Sequence, residues 1–502
     1  MPDSVDFSGK PFHFIGIGGI GMSALAYVLA KRQLPVYGSD LKSNHITQRL
    51  QELGVHIFWE QNAKNLEVFS TQVAGESPRV PPVDAHRSQP AAIADNRLPQ
   101  VICSTAINPN NAEYQAAVAL GCPIFHRSDV LAALIQTHHS IAVAGTHGKT
   151  TTSSLIGYLL LEAGLDPTIV VGGEVEAWSG NARLGSSPYL VAEADESDGS
   201  LVKFESKVGV ITNIELDHPD RYQSLEEVTG IFRTFAQRCQ TTIGCIDCEV
   251  VRDRLKPDIT YSLDRTLGAD YSADGLDLSA DGTRAQIWER GTHLGQLHLG
   301  LLGKHNLSNA LAAIAVARSL GLEFEAIAQA LASFQGARRR FELLGMANQI
   351  RFIDDYAHHP SEIAATLSAA RLQVDGSGHP NRRLVAIFQP HRYSRTQTFI
   401  REFAAVFGEA DRVIIAPVYS AGEAPIAGVS SDHLASAIAE HHNQVDAQPT
   451  LADLKNFLRD FLQPGDLALF LGAGDLNGIV PDLLDWHRQV EREQDPVQSS
   501  RS

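Results

Sequence analysis

Cysteine is scarce in this sequence, and so are long apolar runs. The five cysteines are spread over 502 residues, and only Cys245 and Cys248 form a Cys-x-x-Cys pair. An isolated pair leaves two alternatives, a zinc or redox site and ordinary buried thiols, and we favour buried thiols. No apolar run reaches about 18 residues and no charged leader precedes an apolar core, so we expect no membrane insertion and a cytoplasmic location.

Positive charge is also in short supply. Lys and Arg number 41 against 58 Asp and Glu, which gives a net charge of −17. Nucleic-acid-binding proteins normally carry a basic face, so we expect no nucleic-acid partner. Binding of a small anion by one local loop remains compatible with this balance.

Strands and helices alternate along the chain, and most of the apolar strands run into glycine or polar residues. This alternation predicts an α/β protein with parallel sheets. We predict an N-terminal Rossmann-like domain over 1–138 with a flexible insertion at 71–100, a central P-loop-type domain over 139–337, a C-terminal Rossmann-like domain over 338–488, and a disordered tail over 489–502.

A phosphate-binding loop is predicted after the apolar strand 140–144. The loop reads Gly145-Thr146-His147-Gly148-Lys149-Thr150-Thr151 and leads into a helix. Unpaired amides and the dipole at a helix start attract phosphate, Lys149 can reach the β- and γ-phosphates, and Thr150 can bind Mg²⁺. Val143 stands where the common P-loop motif has its first glycine. The alternative is a helix start that happens to contain lysine.

Two polar residues near the ends of the next strands are candidate metal ligands. Glu193 comes after the strand 189–192, and His218 lies beyond the strand 208–212. Ligands of α/β sheets bind where strands end, and Mg²⁺ prefers oxygen ligands such as a carboxylate. The alternatives are a solvated acidic loop around Glu193 and a structural role for His218.

A second glycine-rich loop lies near the N-terminus and supports a rival function. Gly16, Gly18, Gly19 and Gly21 follow the first strand, and Asp40 follows the second. This spacing fits the dinucleotide fingerprint and by itself would predict NAD and a dehydrogenase. Nothing downstream indicates hydride transfer, however.

Together these motifs resemble the Mur ligase family, the ATP-dependent amide-forming enzymes of peptidoglycan synthesis. The resemblance covers about residues 10–485 and includes Gly303-Lys304-His305-Asn306-Leu307-Ser308-Asn309, Arg339-Arg340-Phe341 and Asp354-Asp355. The family's own loop is GT-x-GKT-T, which accounts for Val143.

Within the family, three segments resemble the branch whose substrates are UDP-N-acetylmuramate and L-alanine. They are Phe14–Ser23, Asp354–Pro360 and Phe388–Thr396. The murein-tripeptide recycling branch would share the second segment but lack His391-Arg392-Tyr393-Ser394-Arg395-Thr396. A non-catalytic nucleotide-binding regulator is a further alternative, which intact Lys149, Glu193 and Arg340 disfavour.

The resemblance implies roles for individual residues. The ATP site would comprise the loop 145–151 with Asn306, Asn309, Arg340 and Asp355, although Asn306 has the alternative role of a helix cap. Thr150 and Glu193 would bind one Mg²⁺ and His218 a second. The UDP-sugar would meet Gly16, Gly18, Gly19, Gly21, Ser39, Asp40, Ser104 and Arg127, and L-alanine would meet Tyr356, His358, Arg392 and Arg395.

The implied chemistry is an acyl phosphate formed from the muramate carboxylate and the γ-phosphate of ATP, which the amine of L-alanine then attacks. The implied catalytic residues are Lys149, Glu193, His218, Arg340 and His358, with His358 a candidate base. Some relatives carry a carbamylated lysine, and although Lys203 and Lys207 lie nearby in sequence, we expect none here. The sequence is compatible with a monomer or a homodimer.

Overall fold

The computed structural model describes residues 4–70, 98–376 and 382–494. The chain divides into two compact units. Unit 1 comprises Met1–Ala144, Ile156–Val210 and Ile231–Thr242, and unit 2 comprises Gly145–Leu155, Ile211–Gly230 and Ile243–Ser502. The predicted three-domain division follows sequence motifs rather than compactness and stays a prediction.

The first sheet, in unit 1, is parallel and five-stranded. Its order is β3-β2-β1-β4-β5, the order of a dinucleotide-binding fold, in which ligands bind between the first and fourth strands. The elements are β1 (Phe12–Ile15), α1 (Ile20–Lys31), β2 (Val36–Ser39), α2 (His45–Glu52), β3 (His56–Phe58), α3 (Glu67–Ser70), β4 (Gln100–Cys103), α4 (Ala112–Ala119), β5 (Ile124–His126) and α5 (Arg127–Gln136), with a 3₁₀ turn at Ala63–Leu66.

A ten-stranded sheet follows, with the order β15-β14-β13-β12-β11-β10-β6-β9-β7-β8. Its elements are β6 (His139–Ala144), α6 (Lys149–Glu162), β7 (Thr168–Val175), β8 (Gly180–Arg183), β9 (Tyr189–Glu193), β10 (Val208–Ile211), α7 (Leu225–Arg238), β11 (Thr241–Cys245), β12 (Ile259–Ser262), β13 (Tyr271–Ser279), β14 (Gly282–Glu289), β15 (Thr292–Leu299), α8 (Lys304–Ser319) and α9 (Phe324–Ser333). Short 3₁₀ or π turns lie at Glu176–Trp178, Ser200–Lys203, Val251–Leu255 and Arg265–Leu267.

Part of this sheet departs from the predicted parallel arrangement. The pairs β6/β9, β7/β9, β11/β12 and β12/β13 are parallel, as predicted. The strands β13, β14 and β15 instead form an antiparallel meander, and β8 is antiparallel to β7. Arg290 (φ 48°) and Gly291 (φ 79°) connect β14 to β15, and a two-residue turn with positive φ at both positions favours a tight hairpin.

The third sheet, in unit 2, has six strands in the order β16-β17-β21-β18-β19-β20, parallel apart from the edge strand β16. Its elements are β16 (Glu342–Ala347), β17 (Ile350–Asp355), α10 (Pro360–Asp375), β18 (Leu384–Phe388), α11 (Tyr393–Thr398), α12 (Ile400–Ala405), β19 (Arg412–Ile415), α13 (Ser431–Ala439), β20 (Val445–Ala447), α14 (Leu451–Phe461), β21 (Leu467–Leu471) and α15 (Val480–Gln494), with a 3₁₀ turn at Leu476–Ile479.

Buried side chains cover both faces of this third sheet. Phe388, Phe403 and Phe407 belong to one apolar cluster, and Phe352 and Phe470 belong to the other. Because β17, β18 and β21 are parallel, their carboxyl ends lie at one edge. The segments after Asp355 and after Phe388 therefore emerge at the same edge, on either side of β21.

Two predicted boundaries differ from the structure. The predicted insertion at 71–100 lies outside the described residues except for 98–100, and Gln100 begins β4. Helix α15 continues through 489–494, part of the predicted tail, because Gln, Glu and Arg are good helix formers. Among the described residues, no helix has the length and apolar character needed to span a membrane.

Candidate active site

The predicted phosphate loop joins β6 to α6. Its two glycines cannot be replaced by a residue with a side chain without strain. Gly145 has φ 144°, and a Cβ there would lie 1.8 Å from Thr212 Oγ1. Gly148 has φ 80°, and a Cβ would lie 2.5 Å from Asn309 Oδ1. Both positions need glycine for backbone conformation and for space. The loop is thus packed closely against its neighbours in unit 2.

The chain after β10 holds this loop through hydrogen bonds. The amide of Thr146 donates to the carbonyl of Asn213 at 3.0 Å, and the amide of His147 donates to Asn213 Oδ1 at 2.8 Å. Thr212 Oγ1 donates to the carbonyl of His147 at 2.5 Å. The amide of Glu215 donates to Thr146 Oγ1 at 2.9 Å. The loop and residues 212–215 therefore form one hydrogen-bonded substructure.

The functional side chains of the loop face its own carbonyls and α8. Lys149 Nζ donates to the carbonyls of Gly145 (2.7 Å) and Thr146 (3.1 Å). Thr150 and Thr151 are buried. Asn309 Oδ1 accepts from Thr152 at 3.1 Å, and its amide group donates to Asn306 Oδ1 at 3.4 Å.

The alternative role of Asn306 as a helix cap is wrong. Helix α8 begins at Lys304 with Gly303 as its N-cap, and Asn306 lies within its first turn. Asn306 Nδ2 donates to the carbonyl of Leu302 at 2.8 Å. Asn306 and Asn309 thus lie beside the phosphate loop, where they were predicted to contribute to an ATP site.

Asp355 ends β17 and holds the chain on both sides of it. Its carboxylate accepts from the amides of Phe341 (2.7 Å) and Ala357 (2.8 Å). Burial raises the pKa of Asp355 to about 6, although the charge of Arg340 opposes this shift. The guanidinium of Arg340 lies 5.3 Å from the ring centroid of Tyr356. The predicted residues Arg340, Asp355 and Tyr356 therefore do lie together.

The histidines of the third sheet form a contiguous group. His358 Nδ1 donates to the carbonyl of Tyr356 at 2.9 Å, and its ring lies 5.6 Å from that of His391. His391 in turn stacks on Tyr419 at 5.7 Å. Burial lowers the pKa of His358 to about 4. Burial and the charges of His358, Arg395 and Arg392 lower the pKa of His391 to about 3. Both rings are therefore neutral at neutral pH.

Both predicted alanine-binding arginines are paired with carboxylates of the 217–220 segment. Arg395, only 2% exposed, donates from Nε and Nη2 to Asp217 Oδ1 at 2.9 and 2.8 Å. Burial alone would raise the pKa of Asp217, but Arg395 and the neighbouring histidines hold it well below its usual value. Arg392 pairs with Asp220 at 2.8 Å and with Glu423 at 3.5 Å. His218 follows Asp217 with φ 55°, a conformation that is uncommon outside glycine.

Sequence reasoning assigned no role to His391, Tyr419 or Glu423. His391 stands inside the motif 391–396, which was a usable signal. Tyr419 and Glu423 follow β19 in an ordinary loop, and only the fold places them beside residues 391–394.

The N-terminal glycine loop in unit 1 is tied to the end of β2. The amides of Gly16 and Ile17 donate to the carbonyl of Ser39 at 2.8 and 2.9 Å. The amide of Gly18 donates to Asp40 Oδ2 at 2.8 Å, and Gly19 is the N-cap of α1. Predicted UDP-sugar residues therefore lie together here, at the carboxyl ends of β1 and β2, and Ser104 directly follows β4.

The hydroxyl of Ser39 points into a buried polar network. It donates to Glu113 Oε2 at 2.5 Å, while Glu113 Oε1 lies 2.7 Å from His13 Nε2 and accepts from Asn65 at 2.9 Å. Glu113 has no exposed surface. Sequence analysis missed it because a glutamate in a short helix is normally exposed to solvent.

Arg127 and Glu193 also lie in unit 1. Arg127 packs near Gly21 and pairs with Asp195 at 3.2 Å and Asp198 at 2.8 Å. Glu193 ends β9 in register with Val143 of β6 and accepts from the amide of Gly172 at 2.6 Å. Lys203 pairs with Asp129 at 2.7 Å. Thr150 and His218, the other predicted metal ligands, belong to unit 2.

Cys245 and Cys248 are free thiols in unit 2. Cys245 is buried, and burial together with the charge of Asp247 raises its pKa to about 11. This agrees with the buried-thiol interpretation for Cys245, because a thiol that stays protonated is a poor metal ligand.

Three family models match the chain in sequence order. Residues 11–139 match the model described as Mur ligase family, catalytic domain, residues 143–317 match the Mur ligase middle domain, and residues 339–474 match the model described as Mur ligase, glutamate ligase domain. The chain belongs to the Mur ligase family. It is an ATP-dependent ligase of peptidoglycan synthesis, and the predicted family and α/β fold are confirmed.

Similar proteins carry one particular name within this family. The UDP-N-acetylmuramate–L-alanine ligase of Nostoc punctiforme is 63% identical over 96% of this chain and 98% of its own length. The enzyme of that name from Trichormus variabilis is 61% identical over 96% of this chain and 98% of its length. The crystal structure of UDP-N-acetylmuramate-alanine ligase from Thermotoga maritima superposes with a TM-score of 0.75 at 28% identity, covering 97% of this chain and 99% of that one.

Proposed function

We propose that this protein joins L-alanine to the carboxylate of UDP-N-acetylmuramate, with ATP as the phosphate donor. One observation carries the proposal most strongly. Within unit 2, His147 of the phosphate loop pairs with Glu362 of α10, and Asp217, beyond β10, pairs with Arg395 after β18. An amino acid bound by the segments after β17 and β18 would therefore lie close to an ATP bound by the loop.

ATP would bind over the loop 145–151. The glycines at 145 and 148 let the loop pack directly against Thr212 and Asn309, where a Cβ would collide, and so fix the course of the loop backbone. Lys149, which bonds loop carbonyls here, would turn its ammonium group to the β- and γ-phosphates. Asn306, Asn309, Arg340 and Asp355 would complete the nucleotide site.

The side chains of Thr150 and Glu193 each carry oxygen donors, the type of ligand that Mg²⁺ prefers. We propose that these two residues bind one ion and that His218 contacts a second. Mg²⁺ bound with ATP supplies positive charge that offsets the repulsion between the muramate carboxylate and the γ-phosphate. Lys149 adds to this stabilisation.

The carboxylate of UDP-N-acetylmuramate would attack the γ-phosphate and release ADP, giving an acyl phosphate. The amine of L-alanine would then attack the acyl carbon, forming the amide and releasing phosphate. The neutral ring of His358 is available to take the proton that this amine loses. Arg392, which pairs with two carboxylates here, would bind the carboxylate of L-alanine.

Unit 1 would hold the UDP-sugar. Its diphosphate would lie over the loop Gly16–Gly21 at the start of α1, where helix amides face an anion. Ser39, Asp40 and Ser104 would lie towards the uridine, and Arg127 would reach the sugar nucleotide. On this proposal, residues 1–138, 139–337 and 338–488 serve the UDP-sugar, ATP and the amino acid in turn.

Phosphate release from ATP tests the proposed function. It should require both UDP-N-acetylmuramate and L-alanine, and it should be compared over L-alanine, glycine, L-serine and a murein tripeptide. A preference for the murein tripeptide over L-alanine would show that the protein belongs to the murein-tripeptide recycling branch of the family. Phosphate release that never depends on an amino acid would overturn the proposed reaction.

A further inference from the structure

A partly buried ionic chain of His147, Glu362 and Glu215 links the phosphate loop to the start of α10. His147 Nδ1 lies 3.2 Å from Glu362 Oε1, and His147 Nε2 lies 3.4 Å from Glu215 Oε2. The side chains of His147 and Glu362 are only 13% and 14% exposed. All three residues belong to unit 2. The imidazole of His147 therefore bridges the carboxylates of Glu215 and Glu362, which are far apart in the sequence.

At one end of the chain, Glu362 fixes the backbone that carries His358. Its Oε2 accepts from the amides of His358 (3.0 Å) and His359 (3.3 Å). His359 is the N-cap of α10, and with Glu362 it forms a reciprocal capping box. A displacement of the Glu362 carboxylate would thus displace His358, the proposed alanine contact.

At the other end, His147 is part of the phosphate loop itself. Its amide and carbonyl are both bonded to residues 212–213, and Gly148 and Lys149 follow it directly. These hydrogen bonds fix the backbone of His147. Its imidazole can therefore hold the carboxylate of Glu362 in a defined position.

The bridge carries charge. Burial alone would lower the pKa of His147, but the ion pair with Glu215, the hydrogen bond to Glu362 and the negative charges of both carboxylates raise it to about 9. The ion pair with His147 lowers the pKa of Glu215 to about 2. Burial alone would raise the pKa of Glu362, but the charge of His358 and the hydrogen bond and charge of His147 hold it well below its usual value. The three groups therefore form a minus-plus-minus chain near neutral pH.

The same cluster has the composition of a metal site, but its hydrogen bonds favour the ionic chain. Ligand atoms of His147, Glu215 and His359 all lie within 4.8 Å of one another. The nitrogen of His359 that faces Glu215 is Nδ1, at 3.9 Å. That atom accepts from the amide of Ser361 at 3.3 Å in the helix cap, so its lone pair is already used.

We propose that His147 is a positioning residue that, acting through Glu362, sets the place of His358 and the bound amino acid relative to the phosphate loop. This proposal rests on the proposed function, since it assigns the second substrate to the segment 356–358. It predicts that loss of the His147 imidazole weakens the use of L-alanine more than the binding of ATP. The reason is that the proposed ATP contacts of the loop are its backbone and Lys149.

Steady-state kinetics of His147→Gln, Glu362→Gln and the double variant test the proposal. Each single variant should raise the KM for L-alanine, or lower kcat at saturating L-alanine, by about tenfold or more, while the Kd for ATP changes by less than about threefold. The double variant should be no worse than the poorer single variant, because the shared contact is already lost. His293→Gln, exposed on β15, is the matched control and should behave as wild type.

Three results would overturn the proposal. Multiplying effects in the double variant would mean that the two residues act independently. An ATP Kd raised as much as the KM for L-alanine would mean that His147 only supports the loop. Unchanged kinetics in both single variants would mean that neither His147 nor Glu362 positions the bound amino acid. Should His147→Gln not fold, Glu362→Gln answers the same question with the loop intact. Failure of the wild-type chain to release phosphate with both substrates would refute the proposed function instead.

Discussion

Gly148 illustrates how a single residue is fixed by two independent constraints. Its φ of 80° penalises any side chain, and its Cα faces Asn309 Oδ1. Asn309 cannot turn away freely, because Thr152 and Asn306 hold its side-chain amide. The phosphate loop therefore depends on a helix that lies more than 150 residues further along the chain.

We expect Gly148→Ala to lower kcat/KM for ATP by about 100-fold, since left-handed strain and overpacking together cost about 2–5 kcal/mol. Phosphate-release kinetics measure the effect. The matched control is Gly164→Ala, which has φ 73° and no atom within 4 Å of the added Cβ. It should lower the unfolding temperature slightly and leave kcat/KM unchanged. Equal kinetic losses in both variants would show that backbone strain alone is responsible.

Substitution of the two arginines predicted to bind L-alanine should have different effects. Arg395→Ala leaves the buried carboxylate of Asp217 unpaired, which costs about 3–5 kcal/mol, so the unfolding temperature should fall markedly. Arg392, whose side chain is 34% exposed, should tolerate alanine with little change in unfolding temperature while the KM for L-alanine rises. Thermal unfolding and alanine-dependent kinetics of both variants measure this. Equal unfolding temperatures would contradict a structural role for Arg395.

At the scale of elements, the strand ends were the most predictable feature. Buried apolar runs such as 384–388 and 467–471 are strands with those bounds, because continuous apolar sequence is typical of parallel strands covered on both faces. The roles of Asp355, Tyr356 and Arg340 came from the family resemblance instead, and the structure places these three residues together.

Contacts between distant elements could not be predicted. Glu113 and Glu362 are separated by 74 and 215 residues from Ser39 and His147, and a lone glutamate in a helix normally indicates solvent exposure. The burial of Arg395 could not be predicted either, because its partner Asp217 lies 178 residues away in the sequence. The antiparallel strands β13 to β15 were missed because their polar alternation lacks the apolar run expected of a buried strand.

The ionic link between the phosphate loop and α10 should make stability depend on pH. The folded-state pKa of His147, about 9, lies above its ordinary 6.5, so its contribution is complete below pH 6.5 and is lost as pH rises through about 9. Glu215, with a pKa of about 2 against 4.5, contributes fully above pH 4.5 and loses its contribution as pH falls through about 2. The link is therefore strongest between pH 4.5 and 6.5.

We therefore expect His147→Gln to lower the unfolding temperature more at about pH 6 than at about pH 9.5. Scanning fluorimetry of wild type and variant at both pH values measures the difference. His293→Gln should have no effect at either pH. A deficit of the same size at both values would mean that His147 contributes packing rather than charge.

At the scale of the whole molecule, the two glycine-rich loops belong to different units and should bind their ligands separately. UDP-N-acetylmuramate and a non-hydrolysable ATP analogue should each raise the unfolding temperature, by an amount equivalent to about 2.7 kcal/mol at 100 times Kd. Gly18→Ala places a Cβ 2.8 Å from Asp40 Oδ2 and should abolish only the first shift. Lys149→Ala should abolish only the second shift, and turnover with it. Loss of both shifts in either variant would contradict separate sites.

Unit 2 is assembled from three stretches of chain, and this has a consequence for protein synthesis. The phosphate loop is translated 215 residues before its partner Glu362. At about 5–20 residues per second the ribosome needs roughly 10–40 s to cover that distance. For about three quarters of that interval the nascent chain carries a phosphate loop without Asn309, and Arg340 and residues 356–358 follow later still. Interrupted chains are therefore expected to be unable to consume ATP, because the nucleotide site is completed only late in translation.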